Sequence, residues 1–390
     1  MWLPRKAPTR IRRSRKQSGG ISPCLLKLMR SHDGTMEPDI CATKSECFPY
    51  VAIVIVNWNG WRDTVECLES VRDISYTDYL TILVDNASRD DSIEQIKTWA
   101  RKQPGNDYLL IDYTRARASE GGEKGQEQAL ETAPPSARAV LIRNSENQGP
   151  TGGANVGIAY ALCREHPADY VFLLDNDAKI DPNCLAQLVK IDRKENAGII
   201  GGISLDPVTG RFQFAERTTP LRFFFRPVIR GDLPLPEDER GYWVTANANG
   251  PAMLIRCDVL DAIYKSRGYY LSGPIYRMGW EFEFCQYSSQ LGYKSIVSRK
   301  GIVWHKGERS YRQRLNANRY YYITRNYILL ADTFLTLPWR ALFHVINLPL
   351  TITRAAKVLL SGRSDVARAV LCGLFDGYRG TTGKWKEQKD

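Results

Sequence analysis

An α/β fold built on a buried, mostly parallel sheet is what this 390-residue sequence predicts. Three observations lead there. Continuously apolar, β-branched runs such as VAIVIV (Val51–Val56) suit strands covered on both faces. Helical spacing of apolar residues follows the first two runs, and the β-α-β order implies parallel neighbours joined by right-handed crossovers. Polar clusters end three runs: Asn57-Trp58-Asn59, Asp85-Asn86 and Asp175-Asn176-Asp177. Open α/β sheets gather their ligands at that carboxyl edge.

Taken in order, ordered patterning begins near Tyr50. The first strand stops at NWNG, and RDTVECLESVRD sets Val65, Leu68 and Val71 at helical spacing. Asp63 and Glu66 are spaced like a capping box at the start of that helix. LTILV (Leu80–Val84) forms a second strand, and DNASRDDS caps a helix reaching about Ala100. Residues 101–138 are polar and carry Gly and Pro, which reads as an exposed loop insertion. AVLIR (Ala139–Arg143) resumes the sheet, and NSENQGPTGGANVGI is a Gly-rich loop entering a helix. YVFLL (Tyr170–Leu174) is the next buried strand; Pro182 then opens a helix, and AGIIGGI is a further strand.

Past Gly210 the alternation weakens. FQFAERTTPLRFFFRPVIRG is aromatic and basic, the composition of a strand, a lid or a membrane-facing flap. NANGPAMLIRCDVLDAIY gives a loop, a short apolar stretch and a helix. GWEFEFCQYSSQLGYKSIVSRKGIVWHKG gives an amphipathic helix, a strand and a His-bearing loop. The last third is helical and apolar. Asp332, Arg340, His344 and Arg354 interrupt it, and Pro338 and Pro349 break it. No run of roughly 18 apolar residues remains for a membrane span. Two readings fit: helices lying on a membrane surface with Trp339 and basic residues at the interface, or a helical subdomain packed on the sheet.

The net charge of +11 is unevenly placed. Residues 1–30 hold nine Lys/Arg and no Asp/Glu, residues 300–390 hold sixteen against six, and the middle is acidic. Basic ends on an acidic body fit an anionic surface. Nucleic acid is not expected as a partner, because the acidic middle offers Arg10–Lys16 no platform. Nine scattered cysteines without a CxxC pair argue against a zinc module and a disulfide framework, and a reducing compartment is the simpler reading. The basic start lacks the apolar segment of a secretory signal. The expected organisation is a basic, disordered arm (1–48), a main α/β domain (49–310) and a helical extension (311–390).

No GxGxxG follows the first strand, which counts against a dinucleotide-binding oxidoreductase. Asp175 and Asp177, two apart where a buried strand ends, can turn to one side. Oxygen ligands in that setting suit Mg²⁺ or Mn²⁺, and such an ion neutralises a leaving diphosphate. Phosphohydrolases with an aspartate nucleophile also carry DxD, but on the first strand and followed closely by Thr or Val. Here Ala178-Lys179-Ile180 follow, late in the chain.

From Tyr50 to Gly307 the chain resembles an inverting family-two glycosyltransferase of the GT-A nucleotide-sugar-binding fold, of the kind found among bacterial rhamnosyltransferases. The resemblance rests on VAIVIVNWNGWRDTVECLESV, VDNASRDDS, NQGPTGGANVGI, LLDNDAKIDP and VWHKG together, and GLFDGYRGTTGK resembles the tail of many such enzymes. It implies that Asp85 holds the nucleotide base and that the backbone around Asn57 and Asn59 borders the nucleotide. The loop with Asn147, Gly149, Gly153 and Asn155 then lies near the donor, its glycines permitting close approach. Asp175 and Asn176 face the ribose or sugar side, and Asp177 binds the metal. His305 is a second metal or phosphate ligand on this reading, or a buried structural histidine beside Trp304. Asn249, Gly250 and Trp280 fall on the acceptor side. Where the family has W-E-D-x-D, this chain has WEFEF: Trp280 and Glu281 match, Phe282 replaces the Asp, and Glu283 replaces the later Asp. Positions two apart lie about 200° apart on a helix, so Glu281 and Glu283 cannot both face the site. Glu281 is the expected base, with Glu283 the alternative.

The implied activity is metal-dependent, inverting transfer of a sugar from a nucleotide-diphosphate donor, dTDP-rhamnose or a UDP-sugar. The acceptor would be a glycan or a polyprenyl-linked glycan of a cell-surface polysaccharide, met in the cytoplasm or at the inner face of the membrane. The alternative is a catalytically silent relative that still binds nucleotide-sugar or glycan.

Overall fold

A computed structural model describes residues 48–104, 108–216, 228–229, 240–248, 250–307 and 317–387. The expected arm, except its last residue Phe48, and Asn249 lie outside them. One mixed sheet carries the fold, with strands β1 (Val51–Asn57), β2 (Tyr79–Asp85), β3 (Leu109–Thr114), β4 (Arg138–Arg143), β5 (Tyr170–Asp175), β6 (Ala178–Ile180), β7 (Gly198–Leu205), β8 (Phe212–Glu216), β9 (Val228–Ile229), β10 (Tyr242–Thr245), β11 (Ala252–Arg256) and β12 (Lys294–His305). Its main path runs β10-β12-β7-β11-β5-β1-β2-β4-β3, with β6 paired to β12 and β8 to β7.

Parallel pairing joins β5, β1, β2, β4 and β3, and β11 runs antiparallel between β5 and β7. The VAIVIV run behaves as its composition requires: Val51, Ile53 and Ile55 face one apolar layer, and Ala52 and Val54 face the other. Helices α1 (Trp61–Arg72), α2 (Ser92–Arg101) and α6 (Cys184–Glu195) cover the first layer; α5 (Gly149–Cys163), α7 (Cys257–Arg267) and α8 (Trp280–Gln290) cover the second.

Several elements depart from the sequence reading. The stretch 101–138 holds β3, α3 (Arg115–Ser119) and α4 (Lys124–Thr132). Glu127 explains why so polar a segment folds: it is buried, accepts hydrogen bonds from Tyr113 and Tyr160 hydroxyls, and pairs with Arg164 at 2.7 Å. Asp63 and Glu66 do not form a capping box; the α1 N-cap is Gly60, and both carboxylates bind Lys306 instead. His305 ends β12 rather than sitting in a loop.

The helical extension consists of α9 (Ala317–Phe334), α10 (Leu337–Leu360) and α11 (Ser364–Tyr378). Pro349 does not break α10, which runs through it, and Pro338 sits in its first turn, where a missing N–H costs nothing. The buried face of α11 includes Ala369, Gly373 and Gly377, which admits α9 closely. Among the described residues no helix is long and apolar enough to cross a membrane.

Candidate active site

Strand register places three polar positions side by side. Asn57 is level with Asp85, and Val56 with Asp175, so the ends of β5, β1 and β2 form one rim. Beyond Asp175 the chain turns through Asn176 and Asp177 into β6, whose Ala178 pairs with His305 of β12. That antiparallel pairing carries the imidazole to the aspartates, and the Lys306 amide donates to the Asp177 carbonyl at 3.0 Å.

His305 Nε2 lies 3.1 Å from Asp177 Oδ1 and 3.5 Å from Asp175 Oδ2. One ligand atom from each of the three residues falls within 4.8 Å of the others. Gln213 fixes the ring from behind: its Nε2 donates to the His305 carbonyl at 2.6 Å, and its Oε1 stands 3.2 Å from Nδ1. A proton on Nδ1 leaves Nε2 as the ligating nitrogen, the usual outer support of a metal-bound histidine.

Enclosure by the protein pushes the Asp175 carboxyl up to about 6, with His305 opposing and Asp177 adding to the rise. Yet 52 % of the Asp175 side chain meets solvent, so the group faces an opening rather than the core. Burial works against the Asp177 carboxylate too, but the hydrogen bond and charge of His305 outweigh it and hold that carboxyl below its ordinary range. For His305, burial disfavours the charged ring, and the two carboxylates more than offset this and raise its pKa. Two carboxylates and an oriented imidazole converging on one point make a donor set that fits a divalent cation.

Beside this cluster, Asp85 is buried and held by its own chain. Its Oδ1 accepts from Asn57 Nδ2 at 2.8 Å and from the Ser88 hydroxyl at 2.6 Å, and its Oδ2 accepts from the Ser88 amide at 3.0 Å. Asn57 Oδ1 accepts from the Thr64 hydroxyl at 2.8 Å, and that hydroxyl accepts from Asn176 Nδ2 at 3.0 Å. One hydrogen-bonded chain thus runs from the β5 turn through α1 to β2. Asn59, at φ 51°, closes the β1–α1 loop by accepting from the Arg89 amide.

The Gly-rich loop is fastened by Asn86, which sequence reading placed at the rim without a role. Its Nδ2 donates to Asn147 Oδ1 and the Gly149 carbonyl, and its Oδ1 accepts from Asn144 Nδ2 and the Gln148 amide. Gly149 takes φ 75° under the Tyr276 ring, where a Cβ would come within 2.6 Å of that ring. Gly153 lies against Val56 and Asn86, so its missing side chain serves close packing of α5 on β1. Asn155 spends its amide on Leu271, donating to its carbonyl and accepting from its amide.

On the opposite side, Glu281 sits in the first turn of α8 and leans on Gly250: a Cβ there would lie 2.7 Å from its Oε1. The adjoining Pro251 carbonyl accepts from the Asp175 amide at 3.2 Å, so one short turn separates Glu281 from the aspartates. Glu283 points elsewhere. It is buried, lies 3.5 Å from Arg267, and burial raises its pKa. Phe282 packs edge-on against Phe334 of α9, 5.7 Å between ring centres. Trp280 packs between that cluster and the second core layer. Sequence reasoning missed Thr64, Ser88, Gln213 and Lys306; Gln213 and Lys306 reach the site from elements distant in sequence, whereas Ser88 bonds Asp85 three residues away and was open to a local turn reading.

A family model described as glycosyl transferase family 2 matches residues 52–133 and 123–263, more than half of the chain. No curated protein sequence matches it. Among solved structures, the chain is similar to the mannosyltransferase PcManGT from Pyrobaculum calidifontis in complex with GDP-Man and Mn²⁺, at 13 % identity. That match covers 94 % of this chain and 95 % of the other, with a TM-score of 0.49. It is also similar to S. aureus TarS 1–349 in complex with UDP-GlcNAc, at 12 % identity over 85 % of this chain and 81 % of the other, with a TM-score of 0.49.

Proposed function

The chain belongs to glycosyl transferase family 2, and from that premise we propose the following reaction. It is an inverting transfer of a sugar from a nucleotide-diphosphate donor to a hydroxyl of a glycan or lipid-linked acceptor, in cell-surface polysaccharide synthesis. dTDP-rhamnose and UDP-sugars are the donors favoured by the sequence resemblance. The observation that carries the reading is the Asp175–Asp177–His305 convergence at the carboxyl edge of the parallel sheet. Asp177 and His305 would hold a divalent cation, with Asp175 beside it. The imidazole favours Mn²⁺ over Mg²⁺, which accepts nitrogen less readily. When bound, the cation offsets charge that builds on the departing diphosphate.

The chain's own residues divide the remaining work. The Asp85–Asn57–Ser88 cluster shapes the floor beneath the base, and the Asn86-fastened loop borders the donor. Glu281, across the Gly250–Pro251 turn, takes the proton of the acceptor hydroxyl. The hydroxyl oxygen bonds to the anomeric carbon as the bond to diphosphate breaks on the opposite face, which inverts the configuration. The burial of Glu283 against Arg267 favours Glu281 over it in that role. Phe282, at the position the family fills with Asp, is taken up in docking α9.

Removing the base tests the assignment. Glu281→Gln lowers kcat by roughly 10²–10⁴-fold with nucleotide affinity unchanged, and Glu283→Gln leaves kcat within a few-fold. Loss of turnover in Glu283→Gln alone, with folding intact, would overturn the assignment. NMR of the product's anomeric centre reports the inversion.

A further inference from the structure

We propose that residues 376–385 form a strap that holds the loop 271–279, and through it Glu281, in working position. The role given to Glu281 rests on the sugar-transfer reading; the strap itself has a test apart from turnover. The strap contains most of GLFDGYRGTTGK, a stretch that adds no ligand to the aspartate cluster. Gly373 and Gly377 let α11 lie against α9: a Cβ would fall 2.5 Å from the Tyr321 carbonyl oxygen at the first and 2.7 Å from Ile328 Cδ1 at the second. Asp376 ties down the end of α11, accepting from the Tyr321 hydroxyl at 2.6 Å and from the Thr381 amide at 2.9 Å. Gly380 and Gly383, at φ 70° and 80°, then turn the chain onto α9. There it is gripped three times. Arg325 is fully buried, and its Nη1 donates to the Gly383 carbonyl at 2.6 Å, an acceptor that a buried guanidinium cannot cheaply lose. The Tyr322 hydroxyl accepts from the Trp385 amide at 2.8 Å. The Trp385 ring stacks on Tyr321, 4.4 Å between centres and 9° between planes. Trp385 is the one large apolar residue of RGTTGKWKE (379–387), and it is buried.

Contacts with α9 alone would make this a finished helix end. The strap also reaches the loop 271–279. The Gly383 amide donates to the Pro274 carbonyl at 3.1 Å, and Tyr322, which holds the Trp385 amide, stacks on Tyr276 with 5.5 Å between ring centres. Tyr276 in turn covers Gly149 on the donor side. The loop ends at Met278 and Gly279, φ 63° and 91°, directly before the first turn of α8 and Glu281. A non-glycine residue stays at positive φ only where its surroundings impose it. Here Asn155 anchors the loop at Leu271, Gly383 at Pro274, and Asn326 at Arg277 and Met278. The strap supplies the middle anchor, so loosening it frees Tyr276 and the launch of α8 together. Trp385 is thus a positioning residue, acting on the site through Tyr322 and Pro274.

Hydrogen–deuterium exchange of the full chain, read by mass spectrometry, tests the strap. Trp385→Ala should speed exchange across 271–279 by roughly tenfold, as expected for the loss of one aromatic stack, and leave β1, β2 and β5 unchanged. Trp385→Phe keeps a stacking ring and should restore most of the protection. Tyr322→Phe keeps the ring on Tyr276 and removes only the hydroxyl, so it should loosen the loop by less, and it keeps the test decisive if Trp385→Ala fails to fold. Sugar-transfer kcat should fall roughly tenfold to a hundredfold in Trp385→Ala and recover in Trp385→Phe. Unchanged exchange across 271–279 in a folded Trp385→Ala, or in Tyr322→Phe if the first does not fold, overturns the strap whatever the reaction. Faster exchange with kcat unaltered overturns its part in positioning Glu281. A wild-type chain that transfers no sugar would defeat the sugar-transfer reading instead, and the exchange rates would still decide the strap.

Discussion

His305 illustrates how much a single side chain owes to distant sequence. Asp175 and Asp177 lie two apart in the chain and are legible as a DxD. The histidine that completes the cluster is 128 positions beyond Asp177. The motif around it was readable through resemblance, but nothing local to it indicates where its ring points. Both Asp175 and His305 hold protons more tightly than usual. A cation entering there must displace those protons, so its affinity depends on pH. We expect Mn²⁺ affinity to fall as pH is lowered through about 6, measured by calorimetry with nucleotide present. Asp177→Ala should abolish that dependence along with the binding, whereas a flat profile in the wild type would place the ion elsewhere.

At the scale of elements, the parallel half of the sheet was legible because its strands are buried on both faces and need apolar residues throughout. The pattern fails at β6. Ala178-Lys179-Ile180 is too short to register as a strand, yet its pairing with β12 assembles the site. It fails again at β3 to α4, where a polar composition conceals a segment folded around buried Glu127. Helix α5 adds a residue to which the sequence reading gave no role: Gly157 is a packing contact. A Cβ at Gly157 would meet Val54 Cγ1 at 2.5 Å. Gly157→Ala should therefore lower stability by about 1–3 kcal/mol in urea unfolding, despite the better helix propensity of alanine. A gain in stability would mean that α5 can back away from β1.

At the scale of the molecule, the helical extension is joined to the site as well as to the sheet. Asn326 of α9 donates to the carbonyls of Arg277 and, at 2.9 Å, Met278, immediately before α8 and Glu281. Met278 and Gly279 both have positive φ there, so the turn is strained and needs holding. Tyr322 stacks on Tyr276, which covers Gly149, and the Gly383 amide donates to the Pro274 carbonyl. Sequence patterning indicated that this region is helical, and it left open whether the helices pack on the domain or lie on a membrane. The buried faces of α9 and α11 pack against each other and the domain, while most of α10 stays exposed. Asn326→Ala should reduce kcat roughly tenfold to a hundredfold by loosening the launch of α8, with nucleotide affinity unchanged. A fall in melting temperature without that split between kcat and affinity would reduce Asn326 to a packing role.

The central claim is that the aspartate pair and His305 form the metal-dependent end of a nucleotide-sugar site. Titration calorimetry of dTDP and UDP into wild type and Asp177→Ala, with Mn²⁺ and with EDTA, tests it most directly. We expect at least one nucleotide to bind wild type only with Mn²⁺ and not to bind the variant. Binding that ignores both the metal and Asp177, or no binding of either nucleotide with Mn²⁺ present, would contradict it.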